Sequence, residues 1–197
     1  LAVELDGSQH YDPAEAEKIR STCDGKSATV KDVISEKKTV NAPKLYDLTT
    51  LQREANRVFG YTAQKTLDYT QSLYEKKLVT YPRTDSQFLS DEMGDTAKSV
   101  IEAIFATYDF MGDVMFNPAV EKVLNSKKVT DHHAIIPTVQ LSKDKLDDLS
   151  EGERNTLMLI AQRLLCATAM PHVYGETTVI VESNGDEFTA KGKSIVQ

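Results

Sequence analysis

The chain has 197 residues, enough for one large domain or two smaller ones. Its 40% hydrophobic content supports a packed core, and no run of roughly 18 apolar residues offers a membrane span. The net charge of −7, from 23 basic and 30 acidic residues, is the wrong sign for a stand-alone duplex binder that works by neutralising phosphates. It leaves room for a few cations in a groove completed by other domains. Cys23 and Cys166 fall in no metal-ligand spacing and fit a reducing compartment better than a disulfide framework.

Ala2 to Leu5 alternates weakly and suits the end of a strand. Asp12-Pro13-Ala14-Glu15 opens a helix: Asp12 caps it, Pro13 stands first and Glu15 third. That helix runs to about Cys23 and ends at Asp24-Gly25. Ser27 to Val40 carries Ala28, Val30, Val33, Ile34 and Val40 among Lys and Glu, and reads as a long, half-exposed strand. Ala42-Pro43 breaks the pattern and marks a domain boundary.

Thr49 or Thr50 is expected to cap a helix over Leu51 to Phe59, closed by Gly60. Thr62 caps the next, Ala63 to about Lys76, with Leu67, Thr70 and Tyr74 on one stripe. Two helices, a tight turn and an extended segment resemble a helix-turn-helix with a wing. Ser90 is expected to cap a helix from about Asp91 to Ala106, and Tyr108 to Pro118 reads as a connector. Val120 to Leu124 reads as helical. Ser150-Glu151-Gly152-Glu153 is a capping box whose helix carries Leu157, Ile160, Ala161, Leu164 and Leu165 on one face, to about Ala169. Met170-Pro171 stops it. Thr177 to Glu182 alternates as a strand, Asn184-Gly185 turns, and Phe188 to Lys191 returns.

The expected fold is therefore α+β. A mainly helical domain, residues 42–172, is inserted between strands of a β domain made of residues 1–41 and 173–197. The chain reads as a piece of a longer polypeptide.

The stretch richest in chemistry is Leu78-Val79-Thr80-Tyr81-Pro82-Arg83-Thr84-Asp85-Ser86. Pro82 pushes Tyr81 toward extended geometry. If the extension holds through Arg83, Tyr81 and Arg83 share a face. A phenol beside a fixed cation suits attack on phosphate, because the cation favours phenolate and the guanidinium grips phosphoryl oxygens bidentately. Most tyrosines, however, are packing residues, and most arginines are surface charges. A second stretch, Asp131-His132-His133-Ala134-Ile135-Ile136-Pro137-Thr138, admits three readings. It is a polar loop, part of a manganese phosphoesterase site, or a phosphate contact. The metal reading also needs an Asp-x-Asp pair, which the sequence lacks.

Taken together, the two stretches resemble the signatures of type IA DNA topoisomerases, in the proline form of the topoisomerase III branch. The likeness extends through residues 48–57, Phe59-Gly60, residues 63–67 and Gln71-Ser72-Leu73-Tyr74-Glu75. It implies a winged-helix-like domain carrying the catalytic tyrosine, set into an arch-like β domain. It implies an ATP-independent enzyme that cleaves one DNA strand through a 5′-phosphotyrosine, passes a strand and religates. Tyr81 would be the nucleophile, with Arg83 and His132 on the phosphoryl oxygens. An imidazolium at His132 would make activity pH-sensitive near neutrality. Arg83, His132, His133 and Thr138 would contact DNA, and Gln71, Glu75 and Asp85 would support the cluster.

The family's magnesium is held by a glutamate and aspartate cluster in a domain that normally precedes this region, and no Asp-x-Asp-x-Glu pattern occurs here. No metal site is expected in this chain, which alone should not relax DNA. The implied partners are single-stranded or underwound DNA and the remaining domains of the same polypeptide, in the cytoplasm with the nucleoid and away from membranes. A plain winged-helix binding or scaffold module is the non-enzymatic alternative. A tyrosine recombinase fits less well, because its tyrosine usually follows its arginine and histidine partners.

Overall fold

A computed structural model describes residues 3–5, 13–108 and 116–195. The cap expected at Asp12 and most of the connector expected from Tyr108 lie outside them. The chain divides into two compact units, Leu1–Asn41 with Pro171–Gln197, and Ala42–Met170.

The first unit is a four-stranded antiparallel sheet with one helix, α1 (Pro13–Cys23). Its strands are β1 (Val3–Leu5), β2 (Thr29–Val40), β3 (His172–Ser183) and β4 (Asp186–Ile195), in the order β1-β4-β3-β2. Asn184 and Gly185, both at positive φ (52° and 91°), make the tight turn that suits the right-handed twist of a hairpin. β3 and β4 extend beyond the alternating stretches of the sequence because long partners pair with them. β2 follows β3 from Thr29↔Glu182 to Val40↔His172. The register slips between Val30 and Asp32, a bulge at Lys31, whose ammonium reaches Glu182 (3.0 Å) and Glu187 (2.5 Å). β2 is more open than its composition suggests: Val30, Val33, Ile34 and Val40 are exposed rather than half-buried.

The second unit is helical. It holds α2 (Leu48–Phe59), α3 (Ala63–Glu75), α4 (Gly94–Thr107), the short α5 (Lys143–Asp147) and α6 (Glu151–Thr168), with 3-10 turns at Asp91–Met93, Val120–Val123 and Ser126–Lys128. α6 is the central post and packs on α2, α3, α4 and the turn at Val120–Val123. Leu51, Leu73, Ile104, Leu157, Ile160 and Leu164 are fully buried around it.

Helix ends follow local chemistry, with some departures from the sequence expectation. α2 begins at Leu48, not Leu51. Asp47 is the cap, accepting from the Thr50 backbone N–H (2.6 Å), while Thr50 Oγ1 accepts from the Asp47 N–H (3.2 Å). An aspartate three residues before a threonine thus satisfies both ends, and Thr50 is the reciprocal partner rather than the cap. Gly60 closes α2 in the left-handed region, Thr62 caps α3, and Ser150 with Glu153 forms the anticipated box on α6. Ser90 makes no capping bond. Its hydroxyl turns to the Glu92 carboxylate (3.3 Å), and a 3-10 turn precedes α4. Val120–Val123 is likewise a 3-10 turn, too short to nucleate a helix without its neighbours.

α3 and α6 approach closely at Gly152, where an added Cβ would lie 2.1 Å from the Tyr69 ring. At the next residue of α6, Glu153 accepts from Ser72 Oγ (2.6 Å), Lys76 Nζ (2.6 Å), and the Ser150 hydroxyl (2.7 Å) and N–H (2.8 Å). Burial alone would raise this carboxyl, but the bonds from Lys76, Ser72 and Ser150 outweigh it and hold its pKa at about 2.

Candidate active site

The site begins where α3 ends. The Leu78 N–H returns to the Leu73 carbonyl (2.9 Å) and the Lys77 N–H to the Tyr74 carbonyl (2.8 Å). These two bonds define a Schellman motif, in which glycine usually takes the left-handed position. Here Lys77 takes it, at φ 60°. Leu78 and Leu73 are both buried and supply the apolar contact that accompanies such a turn. The motif aims residues 78–81 along the strand-like segment 134–138.

That segment grips the Tyr81 stretch through backbone and hydroxyls. The Thr80 N–H donates to the Ile136 carbonyl, and the Thr138 N–H to the Leu78 carbonyl, both at 3.0 Å. Thr80 Oγ1 donates to the Ala134 carbonyl and accepts from the Ile136 N–H, both at 3.0 Å. Thr84 Oγ1 donates to the His132 carbonyl (2.9 Å) and accepts from the Ser86 N–H (3.1 Å). Two threonine hydroxyls therefore clip the chain on either side of Tyr81 and Arg83. The Leu48 N–H, in the first turn of α2, donates to the Thr84 carbonyl (3.1 Å), and Gln87 donates to the capping Asp47 (3.0 Å).

The extension does not carry through Arg83. The Thr84 N–H bonds back to the Pro82 carbonyl (3.0 Å), so the chain turns at Arg83. Tyr81 and Arg83 consequently meet His132 in different ways. The Tyr81 ring lies 4.3 Å from the His132 ring, tilted by 44°. Arg83 and His132 line one cavity of about 460 Å³, with Asp47, Thr84, Asp85, Thr130 and Asp131 among its walls. Both side chains are exposed, and Tyr81 is half-buried. The edge of Tyr74 abuts Tyr81 at 5.4 Å and 78°.

The remaining expected residues are placed as follows. Asp85 accepts from Thr130 Oγ1 (3.3 Å) at the rim of the cavity. Gln71 donates to Glu75 (3.0 Å) across one turn of α3, and among the described residues neither bonds to Tyr81, Arg83 or His132. His133 donates its Nδ1 proton to the Ala134 carbonyl (2.9 Å), and the Thr138 hydroxyl donates to the Lys77 carbonyl (2.6 Å). Thr138 therefore ties the left-handed turn in place. Sequence reasoning did not single out Thr80, Thr84 or Lys77. Their roles depend on partners some 50 residues away. Among the described residues, no group of three or more His, Cys, Asp or Glu is placed to hold a metal ion.

The family described as DNA topoisomerase matches residues 2–197. The chain belongs to the DNA topoisomerase family. This bears out the resemblance carried by residues 78–86 and 131–138. DNA topoisomerase 3 of Bacillus licheniformis is 41% identical over 190 residues, covering 94% of this chain and 26% of that protein. DNA topoisomerase 3 of Bacillus subtilis is 44% identical over 176 residues, 87% of this chain and 24% of that one. The chain thus spans about a quarter of the length of these topoisomerases. The solved structure of full-length topoisomerase I from Thermotoga maritima shares the fold, with a TM-score of 0.69 at 22% identity, over 98% of this chain and 32% of that one.

Proposed function

We propose that this chain is the tyrosine-bearing part of a type IA DNA topoisomerase, and that Tyr81 is its nucleophile. The observation that carries this is the convergence on His132: the phenol ring of Tyr81 against it, and Arg83 beside it in one cavity. The Tyr81 oxygen attacks the phosphorus, and the phenol proton passes to solvent or a base. The bond from phosphorus to the 3′ oxygen breaks, and that oxygen takes up a proton. Arg83 and His132 stabilise the charge that gathers on the phosphoryl oxygens. The phosphotyrosine keeps the energy of the broken linkage, so the reverse attack reseals the strand without ATP.

In this reading the helical unit, Ala42–Met170, is the catalytic-tyrosine domain, and Leu1–Asn41 with Pro171–Gln197 belongs to the arch-like β domain, so the sequence boundary at residue 172 moves back to the start of β3. The substrate is single-stranded or underwound DNA. Magnesium, which the family resemblance implies for the whole enzyme, would be held by residues outside this chain. The rest of the polypeptide is the partner that completes the cleft, and the enzyme works in the cytoplasm with the nucleoid. Among the described residues, no helix is long and apolar enough to cross a membrane.

The test is covalent capture of labelled single-stranded DNA by the full-length polypeptide. Wild type should form an adduct at Tyr81, and Tyr81→Phe should form none while still binding the strand. An adduct that persists in Tyr81→Phe would overturn the assignment.

A further inference from the structure

A second cationic feature stands on the same segments as the cavity, and neither the Tyr81 stretch nor the His132 stretch includes it. The ammonium groups of Lys44 and Lys128 both lie over the ring of Phe88, at 5.7 and 4.8 Å from its centroid. Both lysines are exposed. Neither forms an ion pair among the described residues. Two like charges brought to one ring repel each other. In a chain with a net charge of −7, a carboxylate to pair with either would be easy to supply, and among the described residues neither ammonium is paired with one.

The backbone is tied at Lys128 and at Phe88. Ser86 donates to the Lys128 carbonyl (2.8 Å), and the Phe88 carbonyl accepts from the Ala134 N–H (2.9 Å). Lys128 stands two residues before Thr130 and Lys44 three before Asp47, and both of those residues line the Arg83 cavity. At about 3.5 Å of chain per residue, the Cα atoms of the lysines lie no more than roughly 7 to 11 Å from those of these two wall residues. That is the span of the next phosphates along a strand whose reacting phosphate occupies the cavity.

We propose that Lys44 and Lys128, held over Phe88, are a phosphate clamp for single-stranded DNA, gripping the backbone outside the position where Tyr81 reacts. The clamp rests on the reading of the cavity as the reacting site. Its contribution is electrostatic and independent of base sequence, because ammonium groups on flexible stems meet phosphates as point charges.

The experiment measures binding of a labelled oligothymidylate by the full-length polypeptide across a range of salt concentrations. Each phosphate contact on a single strand contributes about 0.7 to the slope of log K against log salt. The Lys44→Gln, Lys128→Gln double variant should therefore lower the slope by about 1.4. Lys98→Gln, a lysine on α4 already paired with Asp95, should leave it unchanged. Tyr81→Phe should also leave it unchanged while abolishing the adduct, so the clamp and the nucleophile fail separately. An unaltered slope in the double variant, an equal loss in Lys98→Gln, or no binding by the wild-type polypeptide at low salt would each overturn the clamp.

Discussion

The two units hold themselves together by different means. The helical unit buries Leu51, Leu73, Ile104, Leu157, Ile160 and Leu164 completely, and every large apolar side chain of the described core belongs to it. The sheet unit relies on ladder bonds between long strands. The valines of β2 are in the open, Val33 at 56% and Val30 at 57% exposure, and those of β3 are half-buried. Tyr81 sits on the unit with the dense core, and this suits the role proposed for it. A nucleophile must be held within a fraction of an ångström of its partner groups, and tight packing with satisfied hydrogen bonds achieves that.

The comparison breaks most sharply at Leu73, which is buried under the Schellman turn. Leu73→Ala should destabilise the helical unit by about 2–5 kcal/mol, read from a urea midpoint monitored by helical circular dichroism. A loss under 1 kcal/mol would mean that the core beneath the Tyr81 segment is loosely packed. Glu153 comes next. Its folded pKa of about 2 lies below the ordinary 4.5. The carboxylate therefore stabilises the fold fully above pH 4.5, and that contribution disappears as the pH falls toward 2. Allowing for the half-exposed Lys76, it is on the order of 2 kcal/mol. Glu153→Gln should remove that amount at pH 7 and flatten the acid limb of the stability curve.

Lys77→Gly tests the turn itself. Relief of the left-handed strain should outweigh the added freedom of glycine and raise stability by about 0.5–1 kcal/mol, visible as a higher unfolding midpoint. The smallest effect belongs to the sheet. Val33→Thr should change stability by less than about 0.5 kcal/mol, because the side chain has little burial to lose and threonine keeps the branch that strands favour. A large loss there would show that the strand faces are covered in solution.

Much of this architecture was legible in the sequence because it is written locally. The Ser150 box, the Thr62 cap, the Gly60 stop and the Asn184-Gly185 turn each depend on a few adjacent residues. The start of α2 was misread because two threonines competed with an aspartate further upstream. The extents of β3 and β4 were underestimated because pairing, and not alternation, sets their ends. At the site, Tyr81, Arg83 and His132 stood out by residue type and resemblance. The turn at Arg83 and the threonine clips did not, since nothing near Thr80 or Thr84 announces that their hydroxyls would find carbonyls at 134 and 132.

The pairing of Val40 with His172 has one further consequence. The helical unit leaves the sheet from one strand and re-enters on the neighbouring strand, opposite the point of departure. Its 129 residues, Ala42–Met170, therefore form a cassette plugged into adjoining sockets. Such an insert can lengthen, shrink or be traded for another during evolution without any strand of its host having to be rethreaded.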